Sequence, residues 1–151
     1  MPAPNFIAYA TTAPEIDIIS LALNMMFFAY AVLLMFRSVF RNNKISLNLI
    51  IGAICIYLLI GITCGMVYAL LDRLIPNSFV FLNTTHVVSQ MDALMQNFIY
   101  YSFATLTTLG YGDITPLSSP AKYFSVLEAV AGQIYLTVLV ARLVGMHIAQ
   151  K

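Results

Sequence analysis

Three long apolar segments constrain the fold of this chain more than any other feature. They occupy residues of about 18–36, 47–71 and 121–146. Each reaches the roughly 18 to 20 residues that a helix needs to cross about 30 Å of hydrocarbon at ~1.5 Å per residue. Of the 151 residues, 61% are hydrophobic and 9% are charged, whereas a soluble domain has about 25% charged residues. The sequence therefore predicts an all-α membrane protein with three transmembrane helices.

The basic residues predict how the chain crosses the membrane. Arg37, Arg41 and Lys44 follow the first apolar segment directly, whereas residues 1–14 contain no Lys or Arg. Short loops rich in Lys and Arg remain in the cytoplasm. We therefore expect a multi-pass protein of the cell membrane, with its N-terminus outside and its C-terminus in the cytoplasm. The net charge of +1 gives no indication of a nucleic-acid partner.

The segment between the second and third apolar runs contains Thr-Thr-Leu-Gly-Tyr-Gly-Asp at residues 107–113. A potassium ion sheds its hydration shell only where other oxygens replace the water at similar spacing, and rings of backbone carbonyls can do so. Successive carbonyls point the same way only if alternate residues adopt backbone angles that most side chains disfavour. Gly110 and Gly112 lack a Cβ and permit those angles.

Residues 108–112 resemble the selectivity filter of potassium channels, with Leu109 where that family usually has Val or Ile. From residue 98 to 145, the chain resembles the two-helix pore domain of prokaryotic potassium channels. The resemblance implies that K⁺ is the permeant ion and that its ligands are the backbone carbonyls of Thr108, Leu109, Gly110 and Tyr111. The Thr108 hydroxyl either faces the innermost ion site as well or bonds locally. We expect the Leu109 side chain to be buried.

The same resemblance gives a domain organisation. Residues 1–44 would comprise an N-terminal tail, one additional transmembrane helix and the basic loop, and residues 45–148 would form the pore domain. The pore domain would contain an outer helix (about 47–71), a pore helix (about 97–107), the filter (108–112) and an inner helix (about 121–146). Ser89 and Asp92 resemble a capping pair, so the pore helix has an alternative, earlier start.

Several residues near the filter are expected to support it. Tyr100 and Tyr101 match an aromatic pair that braces the filter in relatives, and Asp113 matches the acidic residue that follows the filter. Tyr100 is the expected hydrogen-bond partner of Asp113. Some relatives pair this Asp with a Glu behind the filter, but this chain has Ala104 there. Glu128 lies in the third apolar segment, where it either braces the pore helix or tunes filter stability.

The predicted inner helix would carry the gate. Gly132 is either a hinge or a point of close packing against the pore helix. Helical spacing places five residues on one face: Gly132, Leu136, Leu139, Val140 and Leu143. That face either lines an apolar cavity that closes by dewetting or packs against other helices. Arg142 lies off this face, which indicates a snorkelling or subunit-bridging role. Gly61 and Gly65 permit close helix approach, with the inner helix as one candidate partner.

One chain supplies one filter strand, so the mechanism requires four copies around an axis. The sequence thus predicts a homotetrameric, K⁺-selective channel in membrane lipid that acts on no small molecule beyond monovalent cations. It contains no catalytic constellation, so no enzymatic activity is expected. Three alternatives stay open: a poorly selective cation channel, a non-conducting regulatory subunit that keeps the pore fold, and a potassium transporter. Transporters usually place four degenerate filter repeats in one chain, and the intact Gly110-Tyr111-Gly112 argues against poor selectivity.

Overall fold

The computed structural model of the protein describes residues 14–41, 46–82 and 91–149. In chain order these residues form α1 (Pro14–Arg41), α2 (Leu47–Leu74), β1 (Phe79–Phe81), α3 (Met91–Leu106), β2 (Ile114–Pro116) and α4 (Ser119–Ala149). Three helical segments are long and apolar enough to cross a membrane: Ile18–Arg41, Leu47–Leu74 and Ser119–Ile148. The predicted helical fold with three such helices is confirmed. The pair of short strands was not predicted.

Helix α2 begins and ends at residues whose local chemistry favours a helix terminus. Ser46 precedes the helix with an extended backbone, and its side chain accepts a hydrogen bond from the backbone N–H of Leu49 at 3.3 Å. At the other end the backbone N–H of Ile75 donates to the last turn at 2.8 Å, and Pro76 cannot continue the helix. Asn77 has φ 62°, a left-handed conformation that Asn tolerates well. Residues 75–77 form the turn that leads from α2 to β1.

The two strands tie the segment after α2 to the segment after the filter. They pair antiparallel, with Val80 opposite Thr115. The backbone N–H of Leu82 donates to the Asp113 carbonyl at 2.9 Å, which extends the pairing toward the filter. Three-residue strands are too short to show the alternation of polar and apolar residues that identifies a strand in a sequence. For this reason no strand was predicted in this segment.

Helix α3, the predicted pore helix, is longer than expected. It begins at Met91, six positions before the predicted start at residue 97, and it ends at Leu106. Ser89 of the suggested capping pair lies outside the described residues, as does Lys44 of the predicted basic loop. The early start lies closer to the alternative that the capping pair indicated.

Gly61 and Gly65 of α2 pack against α3 and not against α4. A Cβ at Gly61 would lie 2.6 Å from the Phe103 ring, and a Cβ at Gly65 would lie 2.9 Å from the Ile99 Cα. Small residues at spacing i, i+4 allow two helix backbones to approach closely. The suggested partner, the inner helix, was therefore wrong, because these glycines seat the pore helix against the outer helix.

Two apolar clusters form the core of the protomer. The aromatic cluster joins α2, β1 and α3, with ring centroids 5.0 to 5.5 Å apart in edge-to-face pairs of Tyr68, Phe79, Phe98 and Tyr101. The three-helix cluster joins α1, α2 and α4 and consists of Val39, Leu49, Ala53, Ile56 and Tyr135. Edge-to-face geometry aligns the positive edge of one ring with the negative face of the next. The aromatic cluster packs α3 against α2 and β1. The three-helix cluster packs α1, α2 and α4 against one another.

Arg142 fixes the end of α1 to α4. Its guanidinium donates to the backbone carbonyls of Val39 at 2.9 Å and Phe40 at 2.8 Å. The guanidinium carbon also lies 4.7 Å from the centroid of the Phe40 ring. These carbonyls belong to the last turn of α1, which has no intrahelical donors and carries partial negative charge. These contacts are made within one chain, and the expected snorkelling or subunit-bridging role of Arg142 stays a prediction.

Candidate functional site

The filter segment, residues 107–112, leaves the end of α3 through a series of backbone hydrogen bonds. The N–H of Thr107 donates to the Phe103 carbonyl at 3.0 Å, and the N–H of Thr108 donates to the Thr105 carbonyl at 2.9 Å. The N–H of Gly110 returns to the Ala104 carbonyl at 3.0 Å. Because these bonds attach the segment to the last turn of α3, the position of α3 sets the position of the filter.

Positive φ angles recur at every second residue of the filter segment. They are 60° at Thr108, 56° at Gly110 and 79° at Gly112. The sequence indicated the two glycines. It gave no signal for Thr108, whose branched side chain strongly disfavours a positive φ. Such strained angles cluster at functional sites, where the surrounding structure enforces them.

The side chains of the filter segment are exposed in the single chain. Leu109 is 56% exposed and Tyr111 is 66% exposed, so the expectation that Leu109 is buried is not met within one protomer. The Thr108 hydroxyl donates to the Thr107 carbonyl at 2.6 Å. In one chain it therefore bonds locally, which is one of the two roles expected from the sequence. Non-helical backbone at membrane depth occurs only where protein buries it or where it lines a water-filled path. The protomer therefore presents an incomplete site.

Tyr100 and Asp113 connect α3 to the far end of the filter. The Tyr100 hydroxyl donates to the Asp113 carboxylate at 2.8 Å, as the sequence predicted. The same carboxylate accepts the N–H of Ile114 at 3.1 Å, and the rings of Tyr100 and Tyr111 lie parallel with centroids 6.3 Å apart. The hydrogen bond to Asp113 raises the pKa of Tyr100, because ionisation would remove the donated proton. This hydrogen bond links α3 to the residue that follows the filter segment.

Tyr101 occupies a different environment from its neighbour. Its hydroxyl lies 2.6 Å from the Ser125 hydroxyl of α4, and its ring belongs to the aromatic cluster. Consecutive residues of a helix point in directions about 100° apart. The structure therefore brings Tyr100 to the filter and directs Tyr101 into the core. Within one chain, Tyr100 thus contacts the filter segment and Tyr101 lies in the core, and the bracing role expected of the pair stays a prediction.

Glu128 lies in the interior of the protomer with 4% of its surface exposed. Its Oε2 accepts a hydrogen bond from the Tyr68 hydroxyl of α2, and its Oε1 lies 2.5 Å from the Ser102 Oγ of α3. The carboxyl group thus joins the outer, pore and inner helices at one point. Of the two predicted roles, the structure favours the brace to the pore helix. The sequence did not identify Tyr68 or Ser102 as its partners.

Gly132 of α4 packs directly against Leu106, the last residue of the pore helix. A Cβ at this position would lie 2.6 Å from the Leu106 carbonyl oxygen. The Tyr57 hydroxyl donates to the same oxygen at 3.2 Å. Because Leu106 directly precedes the filter segment, this contact supports the close-packing interpretation of Gly132.

The predicted pore-lining face of α4 divides into two groups. Leu136 is 38% exposed and Val140 is 58% exposed, so both are available to line a cavity. Leu139 and Leu143 instead pack against the three-helix cluster within the protomer, and Gly132 is buried. Of the two alternatives, packing against other helices is therefore observed for Gly132, Leu139 and Leu143, and cavity lining stays a prediction for Leu136 and Val140. Helical spacing predicted a shared face, but residues three or four apart also spread around a helix far enough to contact different neighbours.

Comparisons with known proteins match the part of the chain that contains this site. A family model described as ion channel matches residues 56–148. Two-pore potassium channel 3 from Arabidopsis thaliana is 33% identical over 64 residues, a stretch that covers 42% of this chain and 15% of the plant protein. No solved structure matches the chain. The region matched by the family model contains α3, the filter segment and nearly all of α4.

Proposed function

This chain belongs to the ion channel family, and we propose that four copies of it form a potassium-selective pore across the membrane. One observation carries the proposal: the alternation of positive φ at Thr108, Gly110 and Gly112 in a segment that the single chain leaves exposed. Successive carbonyls point to the same side only if every second residue adopts a positive φ. Carbonyls arranged in this way replace the hydration shell of a potassium ion.

In the proposed pore, four equivalent filter segments surround the ion path. The carbonyls of Thr108, Leu109, Gly110 and Tyr111 act as K⁺ ligands, and the backbone supplies the chemistry whatever the side chain at position 109. Asp113 from each copy adds a ring of negative charge that concentrates cations at the mouth. The plant relative is named as a potassium channel, which supports potassium as the permeant ion.

The homotetramer is the assembly that completes this site. A single segment cannot encircle an ion, and a closed ring of identical segments requires rotational symmetry. Four segments match the filter architecture in which carbonyl rings coordinate K⁺. In such a ring the exposed filter side chains would gain protein neighbours, which satisfies the condition for irregular backbone at membrane depth.

The proposed orientation places the filter mouth outside the cell and the C-terminus in the cytoplasm. Arg37 and Arg41 lie at the end of α1, and the positive-inside rule assigns that end to the cytoplasmic side. The proposed pore domain covers residues 45–148, and α1 is an additional helix attached to it through Arg142. Leu136 and Val140 would line an apolar inner cavity that closes by dewetting.

Ion flux into liposomes tests the proposal. Purified protein is reconstituted, and uptake of K⁺, Rb⁺ and Na⁺ is compared for the wild type, Gly110→Ala and the matched control Gly145→Ala. Alanine at Gly110 must adopt φ 56°, which costs about 1–2 kcal/mol in each copy, whereas a Cβ at Gly145 meets no atom within 4 Å. We expect K⁺ and Rb⁺ flux that Gly110→Ala abolishes and Gly145→Ala keeps.

Other outcomes identify the alternatives. Equal Na⁺ flux would indicate a poorly selective cation channel. If no ion moves, thermal unfolding in K⁺ and in Na⁺ separates a closed channel from a non-conducting subunit, because an ion that binds only the folded protein stabilises it. Stabilisation by K⁺ that is lost in Gly110→Ala would support a closed channel. No difference between the two salts, together with no flux, would refute the filter.

A further inference from the structure

The hydrogen-bond contacts around Glu128 have one proton too few if its carboxyl group is ionised. The Ser102 Oγ lies 2.5 Å from Glu128 Oε1 and 2.6 Å from the carbonyl oxygen of Gly61. A serine hydroxyl has one proton, and a carbonyl oxygen has none to donate. If Ser102 donates to Gly61, the proton between Ser102 and Glu128 must come from the carboxyl group.

The opposite assignment leaves an unfavourable contact. If Glu128 were ionised and Ser102 donated to it, the Ser102 and Gly61 oxygens would face each other at 2.6 Å with no proton between them. The second carboxyl oxygen cannot relieve this arrangement, because the Tyr68 hydroxyl already donates to it. Only a protonated Glu128 gives every one of these contacts a hydrogen.

Among the described residues, the groups that interact with Glu128 are hydroxyls and a thiol, none of which carries a positive charge that would favour the ionised form. The described groups that face it are the Tyr68 hydroxyl and the Cys64 thiol from α2 and the Ser102 hydroxyl from α3. Two further titratable groups, Tyr57 of α2 and Tyr101 of α3, interact with it electrostatically. An adjoining cavity of about 250 Å³ is otherwise lined by Val67, Phe124, Leu127 and Ala131. A buried carboxylate without a cationic partner is costly, so such a group keeps its proton.

We propose that Glu128 is a neutral carboxylic acid that donates to Ser102 and thereby positions the pore helix. The relay runs from Glu128 of α4 to Ser102 of α3 and from Ser102 to the Gly61 carbonyl of α2. Tyr68 orients the carboxyl group by donating to its other oxygen. Glu128 is a positioning residue, because Ser102 lies in the turn of α3 that precedes Ala104, whose carbonyl holds Gly110. The effect on conduction rests on the proposed function, whereas the protonation state does not.

The relay makes opposite predictions for two conservative substitutions. In Glu128→Gln the amide nitrogen donates to Ser102 and the amide oxygen accepts from Tyr68, so the neutral relay is preserved. In Glu128→Asp the carboxyl group is retained on a shorter side chain that cannot span both partners. We therefore expect Gln to preserve thermal stability and flux and Asp to lower both. Glu128→Ala should lower the unfolding temperature by several degrees, because Ser102 and Tyr68 lose their shared partner.

Infrared spectroscopy tests the protonation state directly. The wild type at neutral pH should show the C=O stretching band of a protonated carboxylic acid, shifted in D₂O and absent from Glu128→Gln. Thermal unfolding from mildly acidic to alkaline pH gives the second readout. Where the folded protein binds a proton that the unfolded chain has released, stability falls as pH rises. The wild type should therefore lose stability with pH relative to Glu128→Gln, which retains Tyr68 and Cys64.

Two results would overturn the inference. One is a carboxylate band without the acid band in the wild type at neutral pH. The other is a Gln variant that is less stable than the Asp variant, since an ionised Glu128 would be replaced better by another carboxylate. Neither readout requires ion flux. An acid band in a protein that conducts no ion would uphold the protonation of Glu128 and count against the proposed function alone.

Discussion

The contact between Gly132 and the end of the pore helix gives a sharp test of how the inner helix supports the filter. Substituting Gly132 by Ala places a methyl group 2.6 Å from the Leu106 carbonyl oxygen and 2.8 Å from the Leu106 Cδ1. The side-chain atom can move away at little cost. The carbonyl oxygen belongs to the backbone of α3, so α3 or α4 must shift to relieve the contact.

The magnitude follows from two opposing effects. Replacing Gly by Ala inside a helix stabilises the helix by about 1 kcal/mol. Overpacking a closely packed contact costs about 1–3 kcal/mol. Gly145→Ala in the same helix gains the first effect without the second, because no atom lies within 4 Å of its Cβ position. Gly132→Ala should therefore be less stable than Gly145→Ala by about 1–3 kcal/mol, or roughly 2–12 °C in unfolding temperature for a chain of this length.

Thermal unfolding followed by circular dichroism measures this difference, and K⁺ flux from liposomes reports its effect on the filter. We expect Gly132→Ala to unfold at lower temperature than Gly145→Ala and to conduct less. Equal stability of the two variants would contradict the packing argument. Equal stability combined with altered gating would instead support the hinge role that the sequence left open for Gly132.

Three further predictions concern the other helix contacts. Tyr100→Phe removes the hydrogen bond to Asp113 and should shorten the time over which K⁺ flux persists. In the wild type this hydrogen bond should be lost only when alkaline pH exceeds the raised pKa of Tyr100. Flux that is unchanged in Tyr100→Phe would contradict the proposed support of the filter by Tyr100. Arg142→Gln should lower the unfolding free energy by about 1–3 kcal/mol through loss of charged hydrogen bonds, and Arg142→Lys should recover part of it in the same unfolding assay. Gly65→Ala places a Cβ 2.9 Å from the Ile99 Cα and should reduce both unfolding temperature and flux. A variant with the unfolding temperature and flux of the wild type would show that α3 can shift away from α2 at little cost.

The sequence predicted most reliably those features that depend on residues close together in the chain. The membrane-spanning helices follow from long apolar runs, because a helix satisfies its own backbone hydrogen bonds in lipid. The left-handed angles at Gly110 and Gly112 follow from the absence of a Cβ. Thr108 escaped prediction because its side chain disfavours the conformation that the end of α3 and the filter impose on it.

Predictions were weaker where helical spacing had to be converted into contacts. The spacing of Leu136, Leu139, Val140 and Leu143 predicted one shared face, but α1 and α2 cover Leu139 and Leu143 on one side. Tyr100 and Tyr101 are adjacent in the chain and lie in separate environments. A helical pattern gives the direction in which each side chain leaves the helix axis. The packing of neighbouring helices then determines which residues that side chain contacts.

The sequence by itself determined that this chain is a membrane protein with three spanning helices and a glycine-rich filter segment between the last two. Only the tertiary structure decided how those parts support one another. Glu128 is 60 positions from Tyr68 and 26 positions from Ser102, and Arg142 is 103 positions from Val39. No local pattern encodes such pairs. They form because packing three helices together buries polar groups away from water, and each buried group must then find its partner on another helix.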